Sequence, residues 1–347
     1  MYKNGGVVLD KKISIENLTV IYGKKSEEAY KMFKNGATNQ QISEQTGAHI
    51  AVQDVSLDVY SKEILVIMGL SGSGKSTLLK TLNLLLRPNH GKIIVDGDNI
   101  LEYNKKQLRL YRQKKTCMVF QNYGLLSHRT VLKNVEFGLE VEHINKDERR
   151  KIAEEMIKLV GLSGWENQYP EVLSGGMQQR VGLARAFANQ PDILLMDEPF
   201  SALDPLIRDQ MQIELLQLQT KLKKTIVFIT HDINEAFILG DRIAIMKDGA
   251  IQQIGTPCEI MMDPQTEYVK EFIKNINKLQ VFTCKEVMIP YDKNLVIDTS
   301  ITLKEYTTLN EALIQLQNIH GNIIVTDNQN TIKGIINKTI IMDILVH

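Results

Sequence analysis

Residues Ile64–Met68 form an unbroken apolar run, followed by a glycine-rich stretch and then, from Lys75 to about Leu86, by apolar positions at helical spacing. A short apolar run bounded by turn residues predicts a fully buried strand, and the change of period after it predicts a helix. Similar runs occur at Cys117–Phe120, Ile193–Met196 and Ile226–Ile229. Buried strands alternating with helical segments predict an open α/β sheet. Lys12–Tyr22 and Ala51–Val59 instead alternate apolar and polar residues, as half-buried strands do, and Gly91–Gly97 returns as another strand with a turn at DGDN. Between the first two of these the period turns helical. Ser26 can cap a short helix that Gly36 ends, and Thr38 can cap a second that stops before Gly47, so a helical hairpin is inserted over about residues 24–49. It reads as a solvated decoration or as a docking surface. The basic run Lys105–Lys115 holds a single aromatic, Tyr111, and reads as a solvated helix face rather than a nucleic-acid or lipid surface. From about 122 to 188 the pattern is mostly helical, with Ile152, Met156, Ile157 and Val160 spaced for core packing.

With 347 residues and 43% hydrophobic content, the chain has room for two domains and a large core. Its formal net charge of zero gives no long-range field to draw in nucleic acid or an acidic membrane. Cys117, Cys258 and Cys284 lie far apart with no CxxC pairing, which implies a reducing compartment and neither a disulfide framework nor a zinc site. The first residues lack an apolar signal core, and no apolar run approaches the roughly 20 residues of a membrane helix. A soluble, cytosolic protein is expected, reaching any membrane through another subunit.

The chemistry gathers where the strands end. Gly69, Leu70, Ser71, Gly72, Ser73, Gly74, Lys75, Ser76 and Thr77 join the first buried strand to its helix. Glycines in such a turn let successive backbone N–H groups converge on a phosphate, the helix N-terminus adds its dipole, the lysine reaches the β- and γ-phosphates, and the serine hydroxyl suits Mg²⁺. Ser174, Gly175 and Gly176, in LSGGMQQR, open a second helix N-terminus able to receive an anion. Gln121, the pair Asp197 and Glu198, and His231 each follow a buried strand, where ligands collect in open α/β sheets. Adjacent carboxylates beside a phosphate loop suggest a metal-orienting group and a general base, and a histidine so placed faces the γ-phosphate.

GLSGSGKST, Gln121, LSGGMQQR, LLMDEP, SALD and THD, in this order, resemble the full motif set of an ATP-binding-cassette ATPase over about residues 12–275. The helical insertion, HRTVLKNVEFGLE and YPEVLSGGMQQRVGLARA are similar to the ATPase subunit of glycine betaine/proline-type quaternary amine importers. This resemblance implies an α/β phosphate-loop ATPase cassette with a RecA-like core, an antiparallel β part and a helical subdomain at about 122–188. It also implies ATP and Mg²⁺ as cofactors. Tyr22 would stack on adenine, residues 69–77 would hold the phosphates, and Ser76, Gln121 and Asp197 would complete the metal and water shell. Glu198 would polarise water and His231 would contact the γ-phosphate. Ser174, Gly175, Gly176 and Gln178 would act on ATP held by the opposite subunit of a head-to-tail homodimer, with Asp204 lining that interface. The partners implied are an integral membrane permease and, indirectly, an extracytoplasmic substrate-binding protein, which places the chain at the cytoplasmic face of the membrane. Lys62 replaces the glycine usual before Glu63, and Ser127 replaces a usual proline; both lie outside the expected nucleotide contacts.

The cassette is expected to run through residue 277. Residues 278–347 read as a small α/β module: a strand at Leu295–Ile297, a helix at Leu309–Gln317, strands Asn322–Thr326 and Ile332–Ile336, and a last helix. HGNIIVTDNQNTIKGIINKT resembles a single cystathionine-β-synthase-type repeat, which would suit an adenine nucleotide such as cyclic di-AMP. A lone repeat would leave Ile323, Val325 and Ile335 in need of cover, so the repeats of two chains are expected to pair. Two other readings compete: a cassette protein acting on DNA or the ribosome, which would be expected to carry two cassettes, a coiled-coil insertion or a basic surface, and a chain that is chiefly an osmotic or nucleotide sensor.

Overall fold

The structure is a computed structural model. It describes residues 3–4, 7–8, 10–121, 124–291, 301–317, 319, 321–327 and 329–346. The strand expected at Leu295–Ile297 lies outside the described residues. Two compact units divide the chain, residues 1–254 and 255–347.

In the first unit a six-stranded sheet runs in the order Ala250–Gly255, Arg242–Lys247, Ile64–Met68, Thr225–Thr230, Ile193–Asp197, Thr116–Val119. Ile64–Met68 pairs in parallel with both Arg242–Lys247 and Thr225–Thr230, and the latter pairs in parallel with Ile193–Asp197. All residues of Ile64–Met68 and Thr225–Thr230 are buried, which is why these strands show no polar alternation. Parallel pairing brings Met68, Asp197 and Thr230 to one edge of the sheet, and the phosphate loop, Glu198 and His231 follow directly. A second sheet of four strands, His49–Tyr60, Lys11–Tyr22, His90–Val95 and Asp98–Asn99, is antiparallel and closes over the same core. Four of the expected buried or half-buried strands thus extend by one to three residues beyond the pattern that announces them.

The inserted hairpin forms helices Ser26–Lys34 and Asn39–Thr46. Thr38 caps the second helix in a reciprocal capping box with Gln41, and Gly47 ends it at φ 66°. Ser26, by contrast, is the first helical residue: Lys25 occupies the cap position and makes no side-chain cap bond. Nor is the hairpin merely solvated, because Ala29 and Ile42 are fully buried against Ile21, Ala48 and Ile50.

The helix after the phosphate loop spans Lys75–Leu82 and stops short of Leu86, since Leu84 takes a left-handed φ of 48°. Its last carbonyls are met by the basic run, which is therefore more than a solvated face. Tyr111 is buried and its hydroxyl donates to Leu82 O at 2.8 Å, while Arg112 donates to Asn83 O at 3.0 Å and Leu84 O at 2.8 Å. A cation at a helix C-terminus pairs with orphan carbonyls and with the dipole. Arg112→Ala is expected to lower unfolding stability by about 1 kcal/mol, the value of a partly exposed charged hydrogen-bonding group. Denaturant titration measures it, and an unchanged midpoint would refute the capping role.

Lys62, at the position where the resemblance leads one to expect glycine, adopts φ 69°. The position asks for left-handed backbone, which would suit glycine, and lysine holds it with its N–H on Thr225 Oγ1 at 2.9 Å.

In the second unit the helices Leu309–Leu316 and Lys338–Val346 accompany a four-stranded sheet in the order Ile289–Pro290, Ile332–Ile336, Ile323–Thr326, Thr302–Lys304. Two expectations change here. Cys258 and Met261, from helix Pro257–Met262, pack on the core of this unit, so the compact unit begins at 255 and not after 277. Ile323, Val325 and Ile335 are buried within the unit, at 0%, 0% and 3% exposure, so they need no cover from a second chain and the argument for pairing through them falls. The strand pattern alone does not show their cover, which Phe282, Leu309, Ala312 and Leu316 provide.

Candidate active site

The loop Gly69–Gly74 is shaped by close backbone approaches. A Cβ at Gly69 would lie 2.2 Å from Met246 O, and one at Gly74 would lie 2.2 Å from Ala51 O, with φ at Gly74 of 94°. Neither position can take a side chain without moving backbone. Lys75 is 5% exposed and its ammonium donates to the carbonyls of Gly69 at 2.8 Å and Leu70 at 2.9 Å, folded into the cradle it would serve. Burial pulls its pKa below the ordinary lysine value, against the carboxylates of Glu198 and Asp197, which hold it up.

Ser76, the next residue, donates its hydroxyl to Asp197 Oδ1 at 2.7 Å, bringing two hard oxygen donors together at the mouth of the loop. Tyr22 reaches the same place: its hydroxyl lies 3.3 Å from Thr77 Oγ1, and the residue is 46% exposed. The inserted hairpin therefore does not displace Tyr22 from the loop.

Glu198 turns out of the strand end at φ 47°, with its N–H on Ile229 O at 3.1 Å. Its Oε2 lies 3.0 Å from His231 Nδ1, so the expected base and the expected γ-phosphate contact form one unit. Gln121 comes to the Glu198 loop rather than to Ser76 and Asp197. Its amide donates to Ser201 Oγ at 3.1 Å, and that hydroxyl donates to Glu198 O at 3.0 Å. Ser201 was visible only as part of SALD; its bridging place depends on residues 80 positions apart.

The residues expected to act across a dimer bond within their own segments. Ser174 caps helix Gly175–Ala188 by accepting from Met177 N at 3.3 Å. Gly176 packs so closely that a Cβ would meet Ile207 at 2.5 Å. Gln178 gives its amide hydrogens to Pro170 O at 3.0 Å and Leu173 O at 3.2 Å, bracing the turn that presents Ser174. Asp204 caps helix Pro205–Leu222, its carboxylate accepting from Ile207 N at 3.1 Å.

Close behind His231, Glu235 is buried at 4% exposure. Burial pushes its carboxyl up to about 7, and hydrogen bonds from Thr230 and Gln212 offset this only in part. The native state therefore keeps a proton that the unfolded chain, at the ordinary 4.5, gives up, and stability falls as pH rises from about 4.5 to about 7. Glu235→Gln is expected to gain stability relative to the parent across that window, by up to about 3 kcal/mol and with no further gain above it. Thermal melts at pH 5 and pH 8 measure this, and equal differences at both would show that Glu235 ionises normally.

The phosphate-loop strand edge lies within residues 52–201, which match the family described as ABC transporter. The glycine betaine transport ATP-binding protein OpuAA of Bacillus subtilis is 54% identical over 277 residues, covering 80% of this chain and 66% of its own. The trimethylamine N-oxide transport system ATP-binding protein TmoW of Pelagibacter ubique is 43% identical, covering 89% of this chain and 93% of its own. Among solved structures, a dimeric ATP-binding cassette in a post-hydrolysis state, bound to ADP and Pi, superposes with a TM-score of 0.59 at 34% identity, over 71% of this chain and 98% of that one. The chain belongs to the ABC transporter family, as one of its ATP-binding subunits. Among the described residues no helix is long and apolar enough to cross a membrane.

Proposed function

We propose that the chain is the ATP-hydrolysing, energy-coupling subunit of a membrane importer for glycine betaine, proline or related quaternary amines, working as a homodimer on the cytoplasmic face of a permease. The observation that carries the ATPase part is the meeting of Ser76 with Asp197 and of Glu198 with His231 at one edge of the parallel sheet. The solute class rests on the names of the similar proteins.

Magnesium fits the residues present. A serine hydroxyl and one carboxylate are the sparse oxygen set that Mg²⁺ takes beside substrate phosphates, and the described residues hold no cluster of three or more acidic, histidine or cysteine ligands. Bound by Ser76 and Asp197, it would neutralise phosphate charge. Lys75 exchanges the carbonyls of Gly69 and Leu70 for the β- and γ-phosphates, and Tyr22 offers its exposed ring to adenine. Glu198 takes the proton of the attacking water. His231 holds Glu198 through Nδ1 and turns its other nitrogen toward the γ-phosphate. Gln121, tied through Ser201 to the Glu198 loop, completes the water shell. Ser174, Gly175, Gly176, Gln178 and Asp204 serve the site of the opposite subunit. Residues 278–347 we read as a single cystathionine-β-synthase-type repeat.

Uptake by vesicles containing the permease and this chain tests the assignment. ATP-dependent accumulation of labelled glycine betaine, lost on Lys75→Ala, is expected; hydrolysis without uptake of any quaternary amine would overturn the solute class while leaving the ATPase in place.

A further inference from the structure

Two helices leave the catalytic edge side by side. Pro205–Leu222 follows Asp204, and Ile233–Leu239 follows His231 and is capped by Asp232, whose Oδ1 accepts from Asn234 N at 2.9 Å and Glu235 N at 3.2 Å. One side chain ties their starts together. Arg208 lies 3.3 Å through Nη1 from Asp232 Oδ2 and donates through Nη2 to Leu203 O at 3.1 Å. A turn further along the same helix, Gln212 donates to Glu235 Oε1 at 3.3 Å, both residues being almost wholly buried. The planar guanidinium thus clamps the backbone before Asp204 to the residue after His231. A small pocket lined by Glu198, Ser201, Arg208, Thr230 and His231 lies between the clamp and the base.

We propose that Arg208 is a positioning residue: by holding Asp232 to the Leu203–Asp204 loop, it sets the place of His231 against Glu198 and carries movements of that loop to the catalytic pair. The inference rests on the hydrolytic role of Glu198 and His231 given above, and it explains two features that role leaves unused. Among the described residues Arg208 makes no hydrogen bond to the phosphate loop, yet both of its terminal nitrogens go to the two loops that flank the base. Its Nε is buried and has no hydrogen-bond partner among the described residues, so the side chain is placed for the bridge and not for full satisfaction of its own donors. Lysine replaces it only in part, since one ammonium on a flexible stem holds two acceptors less rigidly than a planar guanidinium fork does. If the loop at Asp204 meets the opposite subunit, Arg208 is the link by which closure reaches His231.

The test is Arg208→Ala with Arg208→Lys beside it, in the full chain. The expected result is a kcat for ATP hydrolysis reduced about tenfold, as for a coupling residue outside the site, with KM for ATP unchanged and only partial recovery in the lysine variant. In a His231→Ala background the same substitution is expected to change the residual rate less than twofold, because the route through His231 is already gone. Histidine-selective NMR of the nucleotide-free chain gives a readout that does not depend on turnover: the His231 ring signals are expected to shift in Arg208→Ala. Unmoved His231 signals, or equal losses of kcat in the presence and absence of His231, would overturn the proposal. Shifted signals in a parent chain that hydrolyses no ATP would uphold the clamp and overturn the ATPase reading instead.

Discussion

Glu198→Gln is expected to slow ATP hydrolysis at least ~10²-fold while leaving ATP affinity close to that of the parent, so that ATP-bound dimers accumulate. Three features of the site make this the cleanest substitution. The backbone at φ 47° is held by the N–H bond to Ile229 O, which does not depend on the side chain. The amide has the size and shape of the carboxylate and can still bond His231 Nδ1, now 3.0 Å from Oε2. What it cannot do is take a proton. The loss is therefore one of chemistry and not of folding or of the phosphate cradle, where Lys75 and Ser76 are untouched. Single-turnover hydrolysis with an independent measurement of nucleotide binding separates the two. Hydrolysis at the parent rate would remove Glu198 as the base.

Much of this arrangement could be read in the sequence because local chemistry and sheet topology act together. An apolar run followed by Gly69–Thr77, or by Asp197 and Glu198, places its polar residues at a strand end, and parallel pairing gathers the strand ends at one edge. Side chains whose partners are distant in the chain could not be read this way. Tyr111 and Arg112 look like members of a charged run, but their acceptors, Leu82, Asn83 and Leu84, are nearly 30 residues earlier. Ser201, Arg208 and Glu235 gain their roles from contacts between segments, and no spacing rule announces them. A lysine at position 62, where the resemblance leads one to expect glycine, takes on meaning only with its φ of 69°. The apolar strands of the second unit misled in the opposite direction: their pattern signals burial but does not say what covers them, and the cover comes from helices of the same unit.

Ser174→Asp is expected to abolish hydrolysis, at least ~10²-fold, without loss of fold or of nucleotide binding by the isolated chain. The choice of aspartate follows from the cap. Ser174 Oγ accepts from Met177 N at 3.3 Å, and aspartate fills an N-cap as well as serine and favours the positive end of the helix dipole, so helix Gly175–Ala188 should start as before and Tm should stay within about 2 °C. If this N-terminus closes on the γ-phosphate held by the opposite subunit, a carboxylate there sets like charge against like and removes a hydroxyl donor from the transition state. A mixture with Lys75→Ala distinguishes action across the dimer from action within one chain. In a mixed dimer, the Ser174→Asp subunit contributes an intact phosphate loop and the Lys75→Ala subunit an intact Ser174, so one composite site has neither defect and the other has both. Up to about half of the parent turnover per mixed dimer is then expected from two variants that are each inactive alone. Were the defect confined to each chain's own site, mixing would restore nothing. Parent-like activity of the Ser174→Asp homodimer would leave Ser174 as a helix cap alone.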